Sequence, residues 1–308
     1  MKIVFLDAAT VGDVSLDPIE KLGELVCWPT STPEEALRRV SDCEVLIINK
    51  IKVSEALLDA APKLRLVCEA ATGVNNIDLK ACEAKGIPVR NVAGYSTDSV
   101  VQVTFMHILS LLGSARYFDR FVKSGEYSRS GIFTDLSRPF PEIAGKTLGV
   151  IGMGNIGTKV AKIGTAFGMK VVYYSTSGTG HCTDYPSIAL ETLMRESDVI
   201  SIHAPYNART AGLVGEKELR LMKPSAIILN MGRGGIIDES ALARVIDEGI
   251  IGGAALDVFV TEPLPADSPL LRTRHPEKLS FTPHTAWASI EARERLVTAV
   301  AANIARGW

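Results

Sequence analysis

Residues 147–168 read TLGVIGMGNIGTKVAKIGTAFG. An apolar, β-branched run ends at Gly152, and Gly152, Gly154 and Gly157 then open a stretch of helical periodicity. This is the G-x-G-x-x-G arrangement of a dinucleotide turn. The first glycine permits the tight turn, the second lets the backbone approach a pyrophosphate, and the third lets the helix pack closely on its strand. The helix N-terminus then offers free N–H groups and a partial positive charge to the phosphates. A further apolar run, Lys170–Ser175, follows the helix, so strand, turn, helix and strand are all present.

Outward from this unit the same alternation recurs. Strand-like runs fall at Lys2–Asp7, Glu44–Lys50, Arg65–Ala71, Val89–Val92, Thr147–Gly152, Lys170–Ser175, Asp198–His203, Ala226–Met231, Gly253–Val258 and Leu279–Thr282. They are continuous rather than alternating in polarity, as expected of strands covered by helices on both faces of a parallel sheet. Helical patterns lie between them, for example Thr32–Val40, with Ser31 or Thr32 as cap and Pro33 in the first turn. The fold class is therefore α/β, with two sets of doubly wound parallel-sheet units. Ser99–Lys123 reads as one long, broadly apolar helix between the two sets, either buried between domains or a subunit contact.

The bulk properties exclude several function classes. A net charge of -2 over 308 residues argues against a nucleic-acid partner. Asp7 interrupts the N-terminal apolar stretch too early for a signal-peptide core, and the apolar region 100–115 carries Gln102, Thr104 and His107. Neither segment suits a membrane, and a cytoplasmic protein is expected. The five cysteines are odd in number and scattered, which suits neither a disulfide framework nor a metal site, and most are expected to be small buried hydrophobes.

The strand after the glycine turn should end in an acidic residue that grips the ribose 2′-hydroxyl of NAD. It ends instead in Tyr-Ser-Thr-Ser-Gly, with Ser175 at the expected place. No carboxylate repels a 2′-phosphate, and no Arg or Lys lies between Ser175 and His181 to bind one. Ser175, Thr176 and Ser177 can hydrogen-bond either ribose, so the cofactor is NAD(H) or NADP(H).

Three charged residues follow successive strand-like runs near the end of the chain: Arg233 in NMGRGG, Glu262 in ALDVFVTEP and His284 in TPHTAW. Open α/β sheets bind ligands beyond the C-terminal ends of their strands. Hydride transfer to a keto acid needs a cation to anchor the carboxylate and polarise the carbonyl, which suits Arg233. It also needs an acid near neutrality, which suits His284. Glu262 can hold the imidazole in one tautomer. Of the other histidines, His107 lies within the long helix, His181 and His275 lie in polar loops, and His203 with Pro205 is expected to shape an adenine pocket.

The motifs ATGVNNID, VIGMGNIG, HAPYNARTAGLV, LNMGRGGIIDESAL, ALDVFVTEP and TPHTAW, in this order and spacing, closely resemble the D-isomer-specific 2-hydroxyacid dehydrogenase family over nearly the whole chain. The resemblance implies a dinucleotide domain, residues 99–286, inserted into a discontinuous, flavodoxin-like substrate domain of residues 1–98 and 287–308. It implies Arg233, Glu262 and His284 as the catalytic set, and a nicotinamide carboxamide contact from Asp257. Gly154, Asn155, Ile156, Pro205, Thr210, Met231 and His284 would line the cofactor cleft. Backbone donors of Ala71, Thr72, Gly73, Val74 and Asn75 would receive the substrate carboxylate.

The segment AGYSTDSVVQVTF and the sequence HTAW look most like the glycerate dehydrogenase and hydroxypyruvate reductase branch, and the apolar helix would then be a homodimer contact. The expected substrate is hydroxypyruvate or glyoxylate. Alternatives are D-lactate, phosphoglycerate or broad 2-keto-acid reduction, and, from another class, a non-catalytic NAD(H)-sensing protein. The chain's end at Trp308, soon after the return helix, leads us to expect no added regulatory domain.

Overall fold

The computed structural model describes residues 1–180 and 182–308, so the polar-loop expectation for His181 lies outside the described residues. The chain divides into two compact units, residues 1–96 with 288–308, and residues 97–287.

The first unit is built on β1 (Lys2–Phe5), β2 (Glu24–Cys27), β3 (Val45–Ile48), β4 (Leu66–Glu69) and β5 (Val89–Arg90). All pair in parallel, in the order β2-β1-β3-β4-β5. This is the flavodoxin-like doubly wound order. β3 and β4 are buried along their whole length, which explains the apolar runs Val45–Ile48 and Leu66–Cys68. β2 escaped the sequence reading although Leu25–Trp28 is apolar; it is an edge strand with its two end residues exposed.

The helix Pro33–Arg39 starts as expected. Thr32 Oγ1 accepts from Glu35 N–H, and Glu35 Oε2 accepts from Thr32 N–H, a reciprocal cap of about 1 kcal/mol. The return helix Ile290–Ala305 buries Leu296, Val297, Val300 and Ile304. It is fixed to the first unit by Arg293 Nη1 donating to Val11 O and Arg295 Nε donating to Tyr95 O. These bonds draw the two chain ends into one domain.

The second unit contains β6 (Thr147–Ile151), β7 (Lys170–Tyr174), β8 (Val199–Ile202), β9 (Ile227–Asn230), β10 (Gly253–Leu256) and β11 (Leu279–Phe281). The parallel order is β11-β10-β9-β8-β6-β7. The winding reverses at β6, which has β7 on one side and β8 on the other. Apolar clusters cover both faces, one around Ile200, Ile228 and Leu242, the other around Val150, Ile108 and Leu229.

The single helix expected over residues 99–123 is two, Thr97–Leu112 and Ala115–Lys123. The apolar periodicity continues across the break, but Gly113 is a poor helix former and Ser114 takes a left-handed φ of 49°. Cys43, Cys68 and Cys82 are buried, as expected for most of these thiols; Cys182 is half-buried and Cys27 exposed. Burial pushes the Cys43 and Cys68 thiols up to about 12, which leaves them inert. Among the described residues, no helix is long and apolar enough to cross a membrane.

Candidate active site

At the head of β6, Gly152 adopts φ +94°, and a Cβ there would lie 2.9 Å from the Ala204 backbone. Gly157 is buried against the turn. Gly154 differs: it is exposed, and a Cβ on it would meet nothing within 4 Å. It also stands at the N-cap of the helix Asn155–Ala166 without a side-chain cap. Uncapped first-turn N–H groups facing open space fit a dinucleotide pyrophosphate. Asn155 is exposed and Ile156 half-buried at this same edge.

Loops rise on both sides of this turn. On one side Gly152 N–H bonds to Tyr174 O, which places Ser175 beside the glycines. Ser175 Oγ donates to Thr179 O at 2.7 Å, and Thr176 is half-buried. On the other side His203 N–H bonds to Ile151 O. The His203 ring lies 2.8 Å from Ser201 Oγ, and burial pushes its pKa down to about 3, so it is neutral. Pro205 is exposed, whereas Thr210 is buried. Thr210 Oγ1 donates to Pro205 O and accepts from Asn207 N–H, which fixes the loop. Met231 is buried just past β9.

The three charged candidates follow β9, β10 and β11, which are neighbours in the sheet. His284 Nδ1 lies 2.6 Å from Glu262 Oε2, while Glu262 Oε1 accepts from Phe259 N–H at 2.9 Å. The carboxylate is thus held at both oxygens. Glu239 Oε1 accepts from the next amide, Val260 N–H, and burial raises the Glu239 pKa. Arg233 is exposed; among the described residues its guanidinium makes one bond, Nη1 to Gly232 O. The turn that carries it is held by the buried Asn230, whose Nδ2 donates to Arg233 O and whose Oδ1 accepts from Gly232 N–H. Gly234 presses this turn onto the Glu262 loop, since a Cβ on it would sit 1.8 Å from Phe259 O.

His284 has a left-handed φ of 53°, rare for a residue with a side chain. Asp257 holds it there. Asp257 O accepts from His284 N–H, and the Asp257 carboxylate accepts from Thr285 N–H, Ala286 N–H and Thr282 Oγ1. The buried His107 in turn bonds to Ser280 and Thr282, and desolvation lowers its pKa. Asp257 is 2% exposed, so its carboxylate serves the His284 turn. Sequence reasoning did not anticipate that task, nor the contributions of Asn230, His107 and Thr282.

In the first unit, the loop Ala71–Asn75 follows β4. Thr72 Oγ1 donates to Val92 O, and Val92 N–H donates to Ala71 O. Asn76 Nδ2 ties the loop's end to Ile51 O and to Glu69 Oε2. Among the described residues, the N–H groups of Gly73, Val74 and Asn75 have no partner.

Residues 105–286 match the model of the D-isomer specific 2-hydroxyacid dehydrogenase NAD-binding domain. The chain belongs to that family. As a D-2-hydroxyacid dehydrogenase it is an oxidoreductase that interconverts a 2-hydroxy acid and its 2-keto acid with a nicotinamide dinucleotide. A glycerate dehydrogenase of Methylorubrum extorquens is 36% identical, covering 98% of this chain and 95% of the relative. An acyclic imino acid reductase, solved with NADPH and D-Arg, is 30% identical with a TM-score of 0.85, covering 99% and 96%. The D-lactate dehydrogenase of Aquifex aeolicus, solved with NAD and lactic acid, is 28% identical with a TM-score of 0.84, covering 99% and 94%.

Proposed function

We propose that this D-2-hydroxyacid dehydrogenase reduces hydroxypyruvate or glyoxylate to the D-hydroxy acid, with His284 as the proton donor. The 2.6 Å contact between His284 Nδ1 and Glu262 Oε2 carries the reading. A carboxylate on Nδ1–H leaves Nε2 as the atom that gives and takes the proton, and stabilises the charged ring before transfer. Bound NAD(P)H supplies the hydride. Arg233 neutralises the substrate carboxylate and polarises the keto oxygen. The unpartnered N–H groups of the loop 71–75 support its assignment as a second carboxylate receptor. Gly154, Asn155 and Ile156 would hold the pyrophosphate, and Ser175 and Thr176 the adenosine ribose. Similarity to a glycerate dehydrogenase favours a small hydroxylated substrate.

The reading also includes a cytoplasmic homodimer. Five free cysteines suit a reducing compartment. Ile132, Phe133, Leu136 and Phe140 are all at least 60% exposed, an apolar group that a second copy would cover. The test is kcat/KM for hydroxypyruvate, glyoxylate and pyruvate with NADH and NADPH, on wild type and His284→Gln. Hydroxypyruvate or glyoxylate should rank first, and the variant should lose about 10²–10⁴-fold in kcat while still binding cofactor. Full turnover by the variant would remove His284 from the reaction; a preference for pyruvate would replace the substrate. Tight cofactor binding without turnover of any keto acid would indicate an NAD(H) sensor instead.

A further inference from the structure

The loops after β7 and β8 stand on either side of β6, and one side chain crosses between them. Arg209, in the loop after β8, donates from Nη1 to Ser177 O at 2.8 Å, a contact across 32 residues of sequence. Its own backbone is set by Arg209 N–H donating to Asn207 Oδ1, in the turn clamped by the buried Thr210. Arg209 is exposed, and among the described residues no carboxylate pairs with it. Its Nε and Nη2 likewise have no partner among those residues, so the charge is present and uncommitted.

The loop that Arg209 touches begins where the ribose carboxylate of an NAD enzyme would stand. Residues 175–180 read STSGTG, three consecutive hydroxyl side chains and no acid. β7 runs beside β6 with Tyr174 opposite Ile151, so this loop flanks the glycine turn at the ribose end of a bound dinucleotide. A ribose 2′-hydroxyl needs one acceptor there, and none is charged. A 2′-phosphate needs donors and positive charge, and the free N–H groups of the guanidinium supply both; the Thr176 hydroxyl lies beside them, and those of Ser175 and Ser177, which donate to Thr179 O here, need only rotate to join.

We infer that Arg209, together with Ser175, Thr176 and Ser177, forms a 2′-phosphate site and makes this enzyme select NADP(H) over NAD(H). The inference rests on the reading of the glycine turn as a dinucleotide site. It brings the missing cation from a different loop from the one in which sequence position would seek it.

The test is the dissociation constant of each reduced cofactor, read by fluorescence titration without substrate. Wild type should bind NADPH at least tenfold more tightly than NADH. Arg209→Gln should reduce that ratio by between about ten- and a hundredfold, the range for hydrogen bonds to a charged group. Ser175→Asp, which adds the repelling carboxylate, should bring the ratio below one. Raising KCl should weaken NADPH more than NADH in wild type and equally in Arg209→Gln. The inference is overturned if wild type prefers NADH, or if Arg209→Gln weakens both cofactors alike. If neither cofactor binds wild type, the dinucleotide reading itself falls, a result separable from loss of preference.

Discussion

Glu69 offers the sharpest test of the physical reading, because it is a carboxyl group in a place that disfavours its charge. It ends β4 behind Leu66, Val67 and Cys68 and is fully buried. Oε2 accepts from Asn76 Nδ2 at 3.0 Å, and Oε1 has no partner among the described residues. Burial, with the neighbouring charge of Asp7, pushes its pKa from 4.5 up to about 8, against the opposing pull of Asn76 and Lys50. A raised acid binds its proton more tightly when folded. Its contribution to stability is therefore complete below pH 4.5, declines as pH rises, and is lost beyond pH 8. Glu69→Gln keeps the shape and an acceptor for Asn76 but cannot titrate. The stability of the variant relative to wild type should therefore rise by roughly 3 kcal/mol between pH 5 and pH 8. Urea unfolding of both proteins at pH 5, 6, 7 and 8 measures this, and titrating groups that do not interact with Glu69 cancel in the difference. Parallel pH curves would refute the reasoning, as would a variant that loses ground to wild type as pH rises.

Two glycines give predictions of opposite character. Gly154→Ala places a methyl group in open space at an ordinary φ of -81°, so the melting temperature should stay within about 2 °C, while NAD(P)H binds at least about tenfold more weakly because the pyrophosphate needs that space; unchanged affinity by titration would move the cofactor elsewhere. Gly234→Ala instead drives a Cβ to 1.8 Å from Phe259 O and 2.1 Å from its carbonyl carbon, which are backbone atoms that cannot swing aside. The Arg233 and Glu262 loops must part, and kcat should fall by about a hundredfold or more, as misplacement by 1 Å costs; near-normal kcat in a well-folded variant would show that the two loops act independently.

The fold was largely legible because its strands lie inside parallel sheets. Ten of the eleven strands among the described residues fall in the runs read from the sequence, while β2 is a half-exposed edge strand whose place depends on pairing with β1. The helix break at Gly113 and Ser114 was hidden by an apolar period that continues through it. The location of the candidate site was legible for the same reason, since Arg233, Glu262 and His284 each follow a recognisable strand. Their supports were not. His107 meets Thr282 across 175 residues and Arg209 meets Ser177 across 32, and no local pattern marks either pair. Glu69 did carry a signal, a lone acid at the end of a buried run, but only the packing shows that it is shut away from water.

The left-handed backbone at His284 connects these hidden supports to the chemistry. Such a conformation costs roughly 1–2 kcal/mol for a residue with a Cβ, and it persists only where the surroundings over-determine it. Asp257 accepts from three groups through its carboxylate and a fourth through its backbone carbonyl. Hydrogen bonds to a charged group contribute about 1.5–3 kcal/mol each, so any two of the carboxylate bonds outweigh the strain. His107 then orders the donor: Thr282 Oγ1 gives its proton to Asp257, so it must accept from His107 Nε2, which fixes the ring's tautomer and leaves Nδ1 to accept from Ser280. A neutral His107, favoured by its lowered pKa, satisfies every bond in this chain. The orientation of His284 toward Glu262 is thus set by bonds made within the folded unit, before any ligand arrives. Binding energy from a ligand need not be spent on turning the His284 ring into place.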